Sequence, residues 1–163
     1  MRLKDWNLVQ WLQETTGLRR PSFRLVNIED YDGIKSLWRR TGLRSRLQGR
    51  DSFVMMQRQM EADPDLFIGA FYKERLVGLV IGSYDGRLKG WINRLSVDPE
   101  YRRLGIAQEL VARVEKALEN HGIALFCALI ETSHKESLNL FRKIGYVPRD
   151  DILYVSKRKS QEI

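Results

Sequence analysis

A chain of 163 residues, 43% of them hydrophobic, is long enough to bury one core, so we expect residues 1–163 to form a single domain. Its one cysteine, Cys127, excludes an internal disulfide, and no apolar run approaches the roughly 20 residues of a membrane span or resembles a signal peptide, so we expect a soluble, cytoplasmic protein. The net charge of +7 favours anionic partners, which include a cofactor with several phosphates as well as nucleic acid.

The first 21 residues have the pattern of a helical extension. Apolar residues recur at near-helical spacing between Asp5 and Thr15, and the stretch from Gly17 to Pro21 would end the helix. We expect this extension to pack on the domain. The alternative is that it gates a substrate or forms a dimer contact.

One strand and two helices are predicted next. Phe23 to Val26 has the composition of a strand, and Asp30 is placed to cap the helix after it. A second helix, Asp51 to Ala62, would stop before Pro64. The first helix has an apolar face that consists of Tyr31, Ile34, Leu37 and Trp38.

The second half of the sequence predicts the main sheet. Three β-rich runs form an antiparallel meander: Leu66 to Tyr72, Leu76 to Tyr84 and Trp91 to Val97. The remaining predicted elements are a helix from Gly105 to Asn120, a strand at Ile123 to Ile130, a helix at Glu136 to Ile144 and a last strand near Ile152 to Ser156. A meander followed by a β-α-β unit predicts an α/β or α+β fold with a mixed central sheet and helices on both faces.

The most informative motif is Arg-Arg-Leu-Gly-Ile-Ala, Arg102 to Ala107, between a predicted strand and a predicted helix. The first-turn N–H groups of a helix have no intrahelical partners and attract anions, and the small residues Gly105 and Ala107 would let phosphate oxygens approach them. The motif has neither the Lys-Ser/Thr ending of a P-loop nor the three glycines of a dinucleotide fingerprint. Alone, the motif is weak evidence, because a basic, solvated turn with a glycine needed for its backbone angle has the same residues.

Two sequence blocks resemble the GNAT superfamily of acetyl-CoA-dependent N-acetyltransferases. The stretch from Trp91 to Ala107 is similar to the family's strand ending in V-x-P, followed by R/Q-x-x-G-x-G/A. The stretch from Ser137 to Tyr146 resembles the family's later short helix that runs into Gly-Phe or Gly-Tyr. The two blocks cover about a third of the chain, and the order of the preceding elements also follows the family.

The resemblance implies a GNAT-like fold and a binding site for acetyl-CoA. The backbone of Leu95, Ser96 and Val97 would lie beside the pantetheine arm, and the helix from His134 to Lys143, with Phe141, would flank the thioester end and the adenosine. The family's diphosphate loop corresponds here to Arg102, Arg103, Leu104, Gly105, Ile106, Ala107 and Gln108. The implied reaction is direct attack of a primary amine on the acetyl group, with no metal and no covalent enzyme intermediate.

The sequence departs from the family pattern at two positions. His134 stands where an asparagine commonly contacts the cofactor arm, and Phe141 stands where a tyrosine commonly protonates the leaving thiolate. The amine must lose a proton before attack, and the candidate bases are Glu131, at a strand end, and His134, since imidazole can carry a proton near neutral pH.

The partners expected from this interpretation are acetyl-CoA and an amine acceptor, either a protein N-terminus, a lysine or a small amine, in a monomer or homodimer. One alternative is a domain that binds CoA without turnover, as the phenylalanine at 141 suggests. The other is a basic protein that binds nucleic acid, although no nucleic-acid motif and no run of five like charges supports it.

Overall fold

A five-stranded mixed sheet organises the computed structural model, which describes residues 20–160. The strands lie side by side in chain order, the first four antiparallel and β4 with β5 parallel, as the meander and the β-α-β pattern predicted. The predicted helix between Asp5 and Thr15 lies outside the described residues. The strands are β1 (Ser22–Leu25), β2 (Phe67–Tyr72), β3 (Arg75–Tyr84), β4 (Lys89–Val97) and β5 (Leu125–Ala128).

Helices cover both faces of this sheet, because alternate residues of the central strands are apolar on each side. Val77 and Val80 of β3 pack against one layer of helix, and Leu79 and Ile81 pack against the other. The helices are α1 (Tyr31–Thr41), α2 (Phe53–Ala62), α3 (Ile106–Asn120) and α4 (Lys135–Lys143). The layer that includes α3 and the layer that includes α1 and α2 therefore lie on opposite faces.

The predicted apolar face of α1 is buried, but its predicted cap works differently. Asp30 occupies the N-cap position without capping the helix through its side chain. Its carboxylate instead accepts two hydrogen bonds from Arg24, at 2.7 and 2.8 Å, and one from the Asn27 N–H at 3.1 Å. The carboxylate thus ties β1 to the turn before α1.

Close packing of α3 depends on glycines in β3. A methyl group on Gly82 would lie 2.8 Å from a Val114 methyl carbon, and one on Gly78 would lie 3.1 Å from both Ile106 and Leu110. Real carbon atoms essentially never approach within 3.0 Å, so α3 can lie this close to the sheet only because these side chains are missing.

A β-bulge interrupts the pairing of β3 with β4. Ile81 pairs with Asn93 and Leu79 pairs with Ser96, so two residues of β4, Arg94 and Leu95, oppose one residue of β3. Arg94 has φ of 55°, in the left-handed region. Such a bulge bends the strand and redirects its side chains.

The predicted last strand, near Ile152 to Ser156, is wrong, because residues 152–156 form no strand. The side chains of Ile152, Leu153, Tyr154 and Val155 are 62 to 88% exposed. Their composition favours a strand, but without a partner strand or a buried face nothing stabilises one. Within the described residues, β5 pairs with β4 alone.

Candidate active site

A cleft of ≈ 940 Å³ opens where β4 and β5 stop pairing. The parallel ladder runs from Lys89 opposite Leu125 to Ile92 opposite Ala128 and goes no further. Beyond it, the bulged end of β4 forms the floor of the cleft, and three other parts of the chain form its walls. These walls are the end of α1 with residues 42–43, the turn into α3, and residues 133–143 around α4.

Asp98 anchors the turn that follows β4. Its side chain is 2% exposed and accepts hydrogen bonds from Arg40 at 2.6 Å and Arg75 at 2.7 Å, as well as from the Glu100 N–H. Burial raises the pKa of this carboxyl group, but the three hydrogen bonds outweigh burial, so the pKa lies below its ordinary value. A charged Asp98 therefore connects the turn to α1 and β3.

No side chain caps the start of α3, and an uncapped helix N-terminus of this kind is suited to bind an anion. Gly105 is the N-cap residue with φ of 78°, and no side chain caps the first turn, so its N–H groups face outward without intrahelical partners. A Cβ placed on Gly105 would meet nothing within 4 Å, so no protein atom fills the space beside this residue. Arg102 and Arg103 line the cleft beside this turn and add positive charge.

Most of the residues predicted to bind the cofactor meet in this cleft. Those on its wall are Leu95, Ser96, Val97, Arg102, Arg103, Gly105, Ile106, Ala107, Gln108 and His134. They come from β4, α3 and the N-cap of α4, so the fold assembles distant parts of the sequence around one space. The size of the space and the open helix terminus fit a phosphorylated cofactor with a long arm.

Three predicted residues lie elsewhere. Phe141 is 5% exposed and packs edge-on against Tyr146 in the core, with ring centres 4.8 Å apart, because the inner face of α4 turns it away from the cleft. Leu104 is 44% exposed and is absent from the cleft wall. Glu131 is also exposed and off the wall, and it contributes a carbonyl that accepts the His134 N–H at 2.9 Å.

His134 is the candidate base that lies on the cleft wall. It occupies the N-cap position of α4, yet its imidazole makes no capping hydrogen bond. The ring is therefore not engaged in capping the helix.

Tyr146 and Tyr154 are not placed to act as the acid that the family commonly has at position 141. Tyr146 donates its hydroxyl proton to Glu115 at 2.6 Å, and burial together with that carboxylate raises the pKa of Tyr146 far above its ordinary value. Tyr154 is 70% exposed and does not line the cleft. The residues with a hydroxyl group that do line it are Thr41, Ser96, Tyr101, Ser133 and Ser137.

Several wall residues carried no signal in the sequence analysis. Residues 41–43 reach the cleft only through the packing of α1 on the sheet, which no local pattern reveals. The cleft-facing side of α4 could have been found from its spacing, because Ser133, Ser137 and Leu140 recur three or four residues apart. Lys135, Glu136, Asn139 and Lys143 complete that wall.

Two further features of residues 20–160 bear on the chemistry. Among them, no group of three or more His, Cys, Asp or Glu side chains is placed to hold a metal ion. In the same part of the chain, no helix has both the length and the apolar character needed to cross a bilayer.

Comparison with families of known proteins gives one consistent result. A family model described as the acetyltransferase (GNAT) family matches residues 31–146. An acetyltransferase from Photorhabdus laumondii is 32% identical over 136 residues, which cover 83% of this chain and 93% of that protein. An acetyltransferase from Sodalis glossinidius is 30% identical over 135 residues, with the same coverage of both chains.

Solved structures show the same fold. The PaiA N-acetyltransferase from Thermoplasma acidophilum, in complex with coenzyme A, superposes with a TM-score of 0.69 at 21% sequence identity. The match covers 80% of this chain and 91% of that one. The mixed sheet with helices on both faces is therefore the architecture of an acetyltransferase crystallised with its coenzyme.

Proposed function

The chain belongs to the acetyltransferase (GNAT) family of acetyl-CoA-dependent enzymes, and from this premise we propose that it transfers the acetyl group to a primary amine. The acceptor is a protein N-terminus, a lysine side chain or a small amine. The amine attacks directly, so Cys127 takes no part as a nucleophile.

The observation that carries this proposal is the open first turn of α3 at one end of the cleft. Gly105 leaves the amides of that turn uncovered, and Arg102 and Arg103 lie beside them. The N–H groups of Ile106, Ala107 and Gln108 would hold the diphosphate, while the backbone of Leu95 to Val97 would hold the pantetheine arm. Both segments line the same cleft.

Acetyl-CoA supplies a thioester that a neutral amine can attack. In this proposal, His134 or a water that it orients takes the proton from the incoming amine. A backbone N–H of the Leu95 to Val97 segment stabilises the carbonyl oxygen as it gains negative charge. Glu131, which is solvated and off the cleft wall, would act only through water.

The absence of a tyrosine at position 141 is compatible with catalysis. A thiol resembling that of cysteine has a pKa of about 8.5, so the departing thiolate needs little help from an acid near neutral pH. Positioned acid catalysis contributes roughly 10²- to 10⁴-fold, so we expect slower turnover rather than none.

Calorimetric titration with acetyl-CoA tests the proposal first, with free CoA, 3′-dephospho-CoA and ATP as comparison ligands. We expect the CoA species to bind and ATP to bind more weakly, because only the CoA species have the pantetheine arm. Thiol release in the presence of an amine panel then reports turnover. Failure of all CoA species to bind at several salt concentrations would refute the proposed function.

A second function is favoured by one observation, the burial of a phenylalanine where the family's acid is expected. A domain that binds CoA without turnover would show this feature. It predicts tight acetyl-CoA binding with no acetyl transfer to any amine of the panel, so the same two measurements separate it from the enzyme.

A further inference from the structure

The segment of residues 39–51, which we call the arginine segment, is strongly basic. It contains five arginines, Arg39, Arg40, Arg44, Arg46 and Arg50, and a single carboxylate, Asp51. It runs from the end of α1 through the loop that leads to α2. Of these charges, the acetyl-CoA site described above uses only that of Arg40, which pairs with Asp98.

The arginine segment borders the cleft on the α1 side. Thr41, Gly42 and Leu43 line the cleft directly. Arg94, in the bulge of β4, donates a hydrogen bond to the carbonyl of Arg44 at 2.8 Å. The backbone of Arg44, which follows these wall residues and is not itself part of the wall, is thereby joined to the bulged end of β4.

A buried ion pair fixes the shape of this loop. Arg94 contacts the Asp51 carboxylate at 2.5 Å, and that carboxylate also accepts the Arg46 N–H at 2.6 Å. The Tyr31 hydroxyl donates to the Asp51 carbonyl at 2.9 Å. These contacts fix the backbone of the loop at Arg44, Arg46 and Asp51.

Only part of the positive charge in the arginine segment is neutralised. Arg40 pairs with Asp98, and the one carboxylate of the segment, Asp51, is occupied by Arg94. Arg50 lies 3.8 Å from Asp51 and is half-exposed. Within the described part of the chain, the guanidinium groups of Arg44 and Arg46 have no hydrogen-bonding or ionic partner.

The cleft also lacks the negative charge that a cationic acceptor would require. Glu136 is the only acidic side chain among the described residues that line it, and Arg102 lies 3.6 Å from its carboxylate. The basic side chains on the cleft wall are Arg102, Arg103, Lys135 and Lys143, which belong to the turn into α3 and to α4, whereas the arginine segment follows α1 on the other face of the sheet. The positive charge of the arginine segment is thus available to bind a second anionic group in addition to the cofactor phosphates.

We propose that the acceptor amine carries a carboxylate or phosphate group that Arg44 and Arg46 bind at the α1 side of the cleft. Guanidinium groups match both anions with paired N–H donors, and an unneutralised pair attracts an anionic molecule over several ångströms. The inference rests on the proposed function and specifies its substrate class. The same positive charge would repel polycationic acceptors such as polyamines, so this proposal excludes them.

Matched amine pairs test this inference. The carboxylate pair is β-alanine with β-alaninamide, and the phosphate pair is phosphoethanolamine with ethanolamine, each assayed by thiol release from acetyl-CoA. We expect the anionic member of at least one pair to have a kcat/KM higher by about tenfold or more, mainly through KM, which is the effect of one charge-assisted contact. The two pairs are measured separately and so identify the anion.

Variants assign the effect to the arginine segment. The double variant Arg44→Gln/Arg46→Gln should bring the ratio within each pair close to one while leaving the Kd for acetyl-CoA unchanged. Arg87→Gln is the control for a general effect of charge, because it makes the same kind of substitution once, in the exposed β3–β4 turn at the far end of the sheet. That control should keep the wild-type ratio.

Calorimetry tests the inference even if the protein shows no turnover of these amines. The same four amines are titrated into protein saturated with CoA, and the anionic members should bind more tightly to the wild type than to the double variant. Equal binding within each pair, or a preference for the neutral member, would overturn the inference in a protein that does bind acetyl-CoA. Loss of acetyl-CoA binding itself would instead refute the proposed function.

Discussion

Gly105 combines two properties that a larger residue would disturb separately. Its φ of 78° is in the region that side chains with a Cβ avoid, and the position of its missing Cβ is open space at the start of α3. Gly122, just beyond the other end of α3, has φ of 79° and equally open surroundings, but it does not line the cleft. A comparison of substitutions at the two glycines therefore distinguishes the effect of backbone strain from the effect of blocking the site.

Replacing each glycine by valine should give different results. We expect both Gly105→Val and Gly122→Val to lower the free energy of unfolding by about 1–2 kcal/mol, because both force a branched residue into a left-handed conformation. Only Gly105→Val should weaken acetyl-CoA binding, by about tenfold or more, since its side chain would occupy the place of the diphosphate. Denaturant unfolding and calorimetry measure the two effects, and equal Kd values for both variants would contradict the assignment.

Phe141→Tyr tests whether position 141 faces the reacting atoms. The Phe141 ring is buried against Tyr146, so a hydroxyl there would lack a partner and should destabilise the fold by about 1–3 kcal/mol. We expect kcat not to rise. An increase in kcat of about 100-fold or more, the minimum expected of positioned acid catalysis, would show that the side chain reaches the cleft.

At the scale of elements, the position of α3 depends on its contact with β3. The helix buries Leu110, Val114 and Leu118 completely, and Gly82 lets Val114 approach the sheet. Because the first turn of α3 is part of the proposed site, any displacement of the helix would also move the amides that hold the diphosphate.

A double-mutant cycle measures this contact. Gly82→Ala should destabilise the protein by about 1–3 kcal/mol through overpacking, since its Cβ would lie 2.8 Å from a Val114 methyl carbon. Val114→Ala should destabilise it by creating a cavity. We expect the double variant to be less destabilised than the sum of the single variants, and strict additivity in denaturant unfolding would argue against direct contact.

Sequence patterns predicted these elements unequally, for physical reasons. The helices α1 and α3 could be recognised because one face of each is buried, which imposes a helical period on the sequence. The strands β2 and β3 are buried on both faces, so they could be recognised as short, continuous apolar runs. The segment from Ile152 to Val155 has the same strand-forming residues, but strand formation also needs a partner, which composition does not reveal.

The candidate site was predictable where it follows from local chain geometry. The turn at Gly105 and the end of β4 are each defined by residues that are neighbours in the sequence, and both segments line the cleft. The direction of Phe141 depends on how α4 is rotated against the core, and the contribution of residues 41–43 depends on long-range packing. Neither the direction of Phe141 nor the contribution of residues 41–43 can be recognised from a short sequence motif.

At the scale of the whole molecule, Asp98 joins the site to the rest of the fold. It receives hydrogen bonds from Arg40 of α1 and Arg75 of β3 while holding the turn after β4. Protonation of this one carboxyl group would weaken contacts between several elements together.

The pH dependence of stability should report this role. The pKa of Asp98 in the folded protein lies below its value of about 3.9 in unfolded chains, so its stabilisation is present above that value and is lost as the pH falls through the folded pKa. We expect Asp98→Asn to be less stable than the wild type by about 1–3 kcal/mol at neutral pH, with a difference that shrinks below about pH 4.

Asp32→Asn is the control for this experiment. Asp32 also pairs with a cation, Lys35, at 2.7 Å, but its side chain is 92% exposed, so water screens the pair. Its replacement should change acid stability little. A difference between wild type and Asp98→Asn that stays constant from neutral to acid pH would contradict the role given to Asp98.

The parallel ladder between β4 and β5 joins only four residue pairs. A molecule lying in the cleft beyond it would touch both sides of the opening, and binding to the folded state alone stabilises that state by about 2.7 kcal/mol when the ligand is at 100 times its Kd. Cells continuously degrade unfolded chains. We therefore expect the steady-state amount of this protein to rise and fall with the supply of acetyl-CoA, so that metabolism sets how much of the enzyme survives as well as how fast it works.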